Sequence, residues 1–429
     1  MLKSLVDAFK VPELRNKILF TLAILALYRL GAFIPVPGIP MSEFAQAYES
    51  ASGAAGGAAM TLIDVFSGGA LSNFSVFALG IMPYITASII MQLMQGVIPA
   101  VGRWAKEGDA GRRKITQATR WLTLALGFIN AVGYLFLFQS PSYGVVLPEP
   151  KFLTSAVIVF TLVAGTACIM WMGELITQRG VGNGMSLIIF TSIVSRVPSA
   201  IFQSATSQAD AGTGLAVTLL ILAVVAVAIP AIIFVERAQR RIPVSYAKRM
   251  QGRKMVGGQS TYIPLKVNAA GVIPIIFASC LVYFPAQIAV MFNVQWLSRF
   301  ADAIAYGPVS WIVNFILIVF FAYFYTSMVF NPEELSDNLR KNGGFVPGVR
   351  PGSATVQYIK DVINRITLPG ACFIALIAVI PSILFSFTNN QLIQAFGGTS
   401  ILIMIGVALD TMSKIESQLK MYNYDGFFK

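Results

Sequence analysis

"DVFSGGALSNFSVFALGIMPYITASIIMQL", residues 64–93, joins two pieces of unlike character. From about Phe74 to Gln92 it is apolar enough to cross a bilayer. Residues 64–73 are rich in Gly and Ser and far too few to span one. Within hydrocarbon no water can satisfy exposed backbone groups, so irregular or half-length backbone survives there only when protein encloses it or it lines a cavity. The short piece must therefore sit inside something built by the rest of the chain.

The rest of the chain has the composition of a membrane protein. Its 429 residues are 56% hydrophobic and 12% charged, with a mean hydropathy of +0.72. Soluble domains carry about 25% charged residues. The deficit is uneven, with long apolar stretches alternating with short charged clusters, as in a polytopic membrane protein. Apolar windows fall near residues 18–36, 74–98, 121–139, 153–175, 184–203, 213–235, 269–291, 309–330, 368–387 and 399–413. The first follows Lys3, Lys10, Arg15 and Lys17 and is too long for the apolar region of a signal peptide, so it reads as a retained span. The last is interrupted by Asp410.

Lys and Arg concentrate on one side of these windows. Arg103, Lys106, Arg112, Arg113, Lys114 and Arg120 follow the second, and Arg237 to Lys266 holds a second cluster after the sixth. Arg340, Lys341, Arg350, Lys360 and Arg365 follow the eighth, while the opposite loops contribute Lys151, Arg196 and Arg299. The positive-inside rule then puts both termini in the cytoplasm.

Two insertions between windows are more than topological signals. Residues 236–268 contain "RIPVSYAKR" and "STYIPLKVN", whose alternation of β-branched or aromatic with polar residues predicts short strands. Residues 331–367 contain "NPEELSDNLRKNGGFVPGVRPG", a short capped helix running into a Gly/Pro tip. Topology alone would explain a few basic residues per loop. Insertions of this size that look structured are equally consistent with docking an acidic or nucleic-acid partner.

Several chemistries are disfavoured. The chain has no histidine, so a Ser–His dyad is impossible and the commonest metal ligand is missing. Cys168, Cys280 and Cys372 all lie in apolar stretches and predict no disulfide framework. No catalytic residue, metal ligand or cofactor site is expected. "RGVGNGMS" from Arg179 looks like a phosphate loop, but a dinucleotide fingerprint needs a preceding strand. A tight turn with Asn183 or Ser186 capping the fifth span fits better. Arg29, Glu174 and Asp410 are the charges nearest to spans, yet no acidic pair or relay is visible. Arg29 can snorkel, and Glu174 lies near a span end. Thr86, Ser88, Gln92, Asn130, Asn268, Gln287 and Asn314 read as hydrogen-bonding glue between spans, or as the lining of a wet pathway.

Seven strings then carry a resemblance. "FSGGALSNFSVFALGIMPYITASIIMQL" from Phe66, "EGDAGRRKITQATR" from Glu107, "RGVGNGMSLIIF" from Arg179, "VERAQRRIPVSYAKR" from Val235, "PLKVNAAGVIPIIFA" from Pro264, "FNPEELSDNLRKNGGFVPGVRPG" from Phe330 and "FGGTSILI" from Phe396 closely resemble the SecY family, channel subunits of the bacterial protein translocase. The resemblance implies an all-α polytopic membrane protein of ten transmembrane helices. These form two pseudo-symmetric inverted five-helix halves, residues 1–205 and 206–429, around a central pore that opens sideways to lipid.

The implied function is passage of unfolded preproteins across the cytoplasmic membrane and lateral insertion of membrane proteins, without enzymatic activity. The rival reading is a secondary transporter of a small solute. The implied partners are SecE and SecG subunits, the SecA motor ATPase, the ribosome, signal-sequence-bearing preproteins and membrane lipids. Residues 64–73 become a plug, in which Ser67, Gly68, Gly69 and Ala70 are small enough to pack and leave while Phe66 and Leu71 give a modest apolar grip. Ile81, Ile85, Met185, Ile189, Ile276 and Ile403 fall at the family's apolar pore-ring positions. Thr86, Gln92 and Asn268 match polar positions near the lateral gate. Arg240, Arg241, Lys248, Arg249, Arg253, Lys254 and Arg350 belong to the docking surface for motor and ribosome, with Arg350 at the position most associated with motor coupling.

Overall fold

The computed structural model describes residues 7–41, 44–46, 48, 64, 66–139, 150–206, 211–246, 249–251, 254–256, 260–268, 271–292, 307–388 and 398–425. Each apolar window contributes a helix. In chain order these are α1 (Pro12–Gly31), α2 (Met82–Val97), α3 (Pro99–Lys106), α4 (Asp109–Gln139), α5 (Lys151–Arg179), α6 (Gly184–Thr206) and α7 (Ala211–Arg237). After the first insertion come α8 (Ile273–Phe292), α9 (Gly307–Val329), α10 (Pro332–Lys341), α11 (Ser353–Thr388) and α12 (Gly398–Asp425). Among the described residues, four helical stretches are long and apolar enough to cross a membrane: Lys151–Arg179, Gly184–Phe202, Val309–Lys341 and Ser353–Pro381. The pair Met82–Val97 and Pro99–Ala105, bent by 104°, makes a fifth. The bend falls at Ile98, whose extended backbone precedes Pro99, as the proline ring requires of its neighbour.

The chain divides into two compact units. The first holds Met1–Thr218, Cys280–Val309 and Val407–Lys429, and the second holds Leu219–Ser279 and Ser310–Gly406. In the first, a core forms from Val36, Phe44, Leu71, Phe74, Ala78, Leu79, Ala131, Tyr134, Ile158, Val159 and Leu162. A smaller cluster of Ala8, Leu14, Val181 and Ile415 joins the start of α1, the α5–α6 turn and α12. That turn is the "RGVGNGMS" stretch. Gly182 sits at φ +89°, and a Cβ on Gly184 would lie 1.9 Å from the Gly173 carbonyl oxygen. The Asn183 side-chain oxygen accepts from the Met185 N–H at 3.1 Å, an N-cap rather than a phosphate loop. Asp410 does not break its span, because α12 runs through it and Lys414 pairs with it one turn on, at 2.9 Å. Glu174 accepts from both Nε and Nη2 of Arg120, tying α5 to α4.

The second unit contains both insertions. Strand β1 (Gln239–Tyr246) pairs antiparallel with β4 (Ser260–Lys266), with Ile242 opposite Ile263. β2 (Arg249–Gln251) and β3 (Lys254–Val256) form a short ladder between them in sequence. The predicted helix is α10, where the Asn331 side chain caps Glu333 N–H at 3.2 Å. β5 (Gly344–Phe345) then returns to β1. Ile242, Leu265 and Val346 bury against one another with Phe330, Val349, Val362 and Ile363 at their edge, so the two insertions share one small core. That core makes them a folded platform.

One expectation fails. The second span begins at Met82, not near Phe74, because residues 68–81 are a succession of turns. Gly68, Gly69 and Gly80 have φ of +70°, +87° and +56°, and Phe74 is at +35°. Glycine reaches such angles without a Cβ clash, whereas they are foreign to a right-handed helix. Pro83 sits in the first turn of α2, where its missing N–H costs nothing. Apolarity was legible there, and helicity was not.

Candidate pore segment and plug

Since residues 68–81 are not helical, their backbone must find partners elsewhere. Phe74 C=O accepts from Val36 N–H at 3.0 Å, and Ile34 C=O accepts from Val76 N–H at 2.9 Å, bracketing a bridge between Pro35 and Ser75. Ser75 N–H donates back to Ala70 C=O at 2.9 Å. Two close approaches wedge the segment. The Phe77 ring covers Gly31 of α1 and stacks on Tyr28 at 5.8 Å, and a Cβ on Gly165 of α5 would meet the Val76 carbonyl at 1.9 Å. From Phe74 onward the stretch is built into the bundle.

The preceding stretch is enclosed but held differently. Phe66, Ser67, Gly68, Ala70 and Leu71 are buried and Gly69 half-buried. Leu71 enters the core beside Phe74. Phe66 is buried as well, and the rest of the grip is polar. Asp64, fully buried, pairs with Arg196 of α6. Its carboxylate also accepts from Tyr48 Oη at 3.1 Å and from the Ser72 N–H at 2.9 Å. Burial raises the Tyr48 phenol above its ordinary pKa, so it stays a donor near neutral pH. Arg29 Nη1 donates to Gly68 C=O at 2.6 Å. Tyr28 Oη donates to Ser67 C=O at 3.3 Å and is hydrogen-bonded to Ser192 Oγ at 2.7 Å. A Cβ on Gly68 would sit 3.0 Å from Ser192 Cα, which explains the glycine.

Two sequence expectations change here. Arg29 does not snorkel, because the Gly68 carbonyl holds one side of its guanidinium and the Phe33 ring lies 5.2 Å away. Arg196 is not a loop residue, since α6 carries it inward to a carboxylate that would otherwise be buried unpaired. The reading by composition missed Asp64 and Arg196 as a pair. A charge interrupting an apolar run is the signal for such a partner.

The six positions expected to form an apolar ring are all buried. Ile81 caps α2 and its carbonyl accepts from Ile85 N–H, so the two lie one above the other on the first turn. Met185 and Ile189 take the same relation at the start of α6, where Met185 Sδ packs over Gly173. Ile276 and Ile403 belong to the second unit. The polar positions are locally satisfied: Thr86 donates to Met82 C=O at 3.0 Å, and Gln92 to Ser88 Oγ at 3.4 Å. Asn268 donates to Glu236 at 2.7 Å and to Gly271 C=O at 3.0 Å, fastening the end of α7 to the turn before α8.

On the platform, Arg240, Arg241 and Arg350 are exposed. Arg241 lies over the Tyr262 ring at 4.8 Å. Arg350 is at the Gly/Pro tip, where its carbonyl accepts from Thr355 Oγ1 at 2.9 Å. Arg249 and Lys254 lie in β2 and β3, while Lys248 and Arg253 fall outside the described residues. No cluster of metal-ligating side chains occurs among the described residues.

Comparison with known proteins agrees with this geometry. The SecY family model matches residues 75–412. Protein translocase subunit SecY of Streptomyces lividans is 48% identical over 443 aligned residues, covering all of both chains. That of Mycobacterium tuberculosis strain H37Rv is 45% identical over 447, again covering all of both. Among solved structures, a protein-conducting channel aligns with a TM-score of 0.60 at 18% identity, over 93% of this chain and 91% of that one. Sec61 from a canine ribosome–channel complex aligns at 0.56 and 18%, with the same coverage. At such identities the structures speak for the fold. The sequence relatives speak for more: with full-length identity near one half and a family match running from the wedged segment to α12, this chain belongs to the SecY family.

Proposed function

We propose that the chain is the membrane-embedded channel of a protein translocase. It conducts unfolded preproteins across the cytoplasmic membrane and releases apolar segments sideways into lipid. The observation that carries this is the enclosed Gly-Ser segment at residues 64–73, seated by polar contacts and by Phe66 and Leu71 ahead of a span whose first turn offers Ile81 and Ile85. A segment held this way can leave without dismantling the bundle, which suits a plug and has no use in a solute carrier. Membership of the SecY family also disfavours the transporter reading.

In this reading Ile81, Ile85, Met185, Ile189, Ile276 and Ile403 form the apolar ring, which dewets when idle and deforms around a passing chain. The pseudo-symmetric halves are residues 1–205 and 206–429, and Thr86, Gln92 and Asn268 line the lateral gate. Both termini are cytoplasmic. The platform of β1–β5 and α10 docks a SecA motor and the ribosome through Arg240, Arg241, Lys248, Arg249, Arg253, Lys254 and Arg350. SecE and SecG complete the channel. The chain performs no catalysis, and energy comes from the motor or from translation.

The test is co-reconstitution of the channel complex in vesicles with a SecA-type motor, ATP and a signal-bearing precursor. Precursor protected from added protease, dependent on ATP and on this chain, is the expected result. Full accessibility with all components active would overturn the reading.

A further inference from the structure

The plug reading leaves a buried charge unexplained. Small apolar residues would have sufficed to seat a stopper, yet Asp64 is completely enclosed. Its carboxylate is saturated by Arg196, Tyr48, the Ser72 N–H and Ser67 Oγ. The two charges come from opposite sides of the contact: Asp64 heads the plug segment, and Arg196 sits on α6, 132 positions later. The Arg196 guanidinium also lies over the bare face of Gly69, 3.8 Å from where a Cβ would be. Arg29 of α1 approaches Gly68 from its own helix. Both guanidinium groups thus bear on the plug segment, and moving Asp64 away would leave Arg196 without its carboxylate.

Taking one partner from a buried ion pair leaves an uncompensated charge, and the penalty is far larger than for an exposed pair. We infer that Asp64 and Arg196 are an electrostatic latch. It holds the plug segment seated, and its strength sets how strong a signal sequence must be to open the channel. This rests on the plug reading above. Asp64 and Arg196 are positioning residues, since neither needs to touch the passing chain.

The test uses the full channel complex and two readouts, resting ion conductance in planar bilayers and translocation of a precursor with a weakened signal sequence. Asp64→Asn keeps the size and one acceptor oxygen while removing the charge. Arg196→Gln removes the other charge. Each is expected to raise both readouts roughly a hundredfold or more, the scale of a broken buried pair. Arg196→Lys, which keeps the charge without the fork, should fall between wild type and Arg196→Gln. Asp64→Asn with Arg196→Gln should leak less than the product of the single effects, because no charge is left stranded.

A deletion of residues 64–71 separates the two claims. It should raise conductance by itself, and Arg196→Gln should then add nothing. Unchanged conductance on deletion would overturn the plug reading and the latch together. A leaky deletion with tight single variants would overturn the latch alone. So would single effects that multiply independently, or loss of the assembled complex in both single variants, which would make the pair a folding element.

Discussion

The Phe77 ring lies flat over Gly31, so closely that a Cβ on that glycine would sit 2.1 Å from Cε2 of the ring. Ring and glycine join the irregular segment at residues 74–81 to α1, and the same ring stacks on Tyr28, which reaches Ser67. The seat of the segment proposed as a plug thus depends on a glycine in a different span. Gly31→Ala should destabilise the channel by about 1–3 kcal/mol, the usual cost of overpacking. Thermal unfolding of the solubilised complex would read it. Adding Phe77→Leu, which frees the space, should recover part of the loss. A Gly31→Ala channel as stable as wild type would show that the ring has room to move.

Arg350 stands exposed on a tip held by Thr355. A guanidinium there can form a bidentate pair with a partner carboxylate that Lys cannot reproduce. Arg350→Glu is expected to lower motor-dependent secretion roughly tenfold or more, the scale of a lost charge-assisted hydrogen bond. Protein abundance and membrane insertion should hold. Equal secretion by mutant and wild type would remove Arg350 from the coupling surface.

The ring can be tested as a set. Replacing Ile85, Ile189 and Ile276 together with Asn would hydrate the constriction and raise resting conductance in planar bilayers. The same channel should accept less hydrophobic signal sequences. A triple variant that assembles and stays tight, with the plug present or deleted, would contradict the assignment.

Much of the architecture was legible in the sequence because membrane burial leaves long uninterrupted traces. The apolar windows coincide with helices, and the β-branched alternation in "RIPVSYAKR" and "STYIPLKVN" predicted strands where β1 and β4 lie. "NPEEL" predicted the cap of α10, and "GVGNGMS" the turn before α6. What failed was local. Phe74 to Ile81 is as apolar as a helix, but its turns come from positive-φ glycines and from hydrogen bonds to residues 34–36, which hydropathy does not register. The Asp64–Arg196 pair was illegible for another reason. Its members lie 132 positions apart, and only the fold brings them together. Arg29 belongs to the same class, since its partner is a backbone carbonyl that no composition could name.

The most direct measurement places a photo-crosslinking residue in turn at Ile85, Ile189 and Ile276, and at the exposed positions Phe160 and Phe234 as controls. A precursor with a folded C-terminal domain is then arrested midway through the reconstituted channel by motor and ATP. If polypeptide passes through the interior of this chain, adducts to the arrested precursor form from the three isoleucine positions and not from Phe160 or Phe234. Adducts from the controls with none from the isoleucine positions, while translocation proceeds, would contradict a path through the ring.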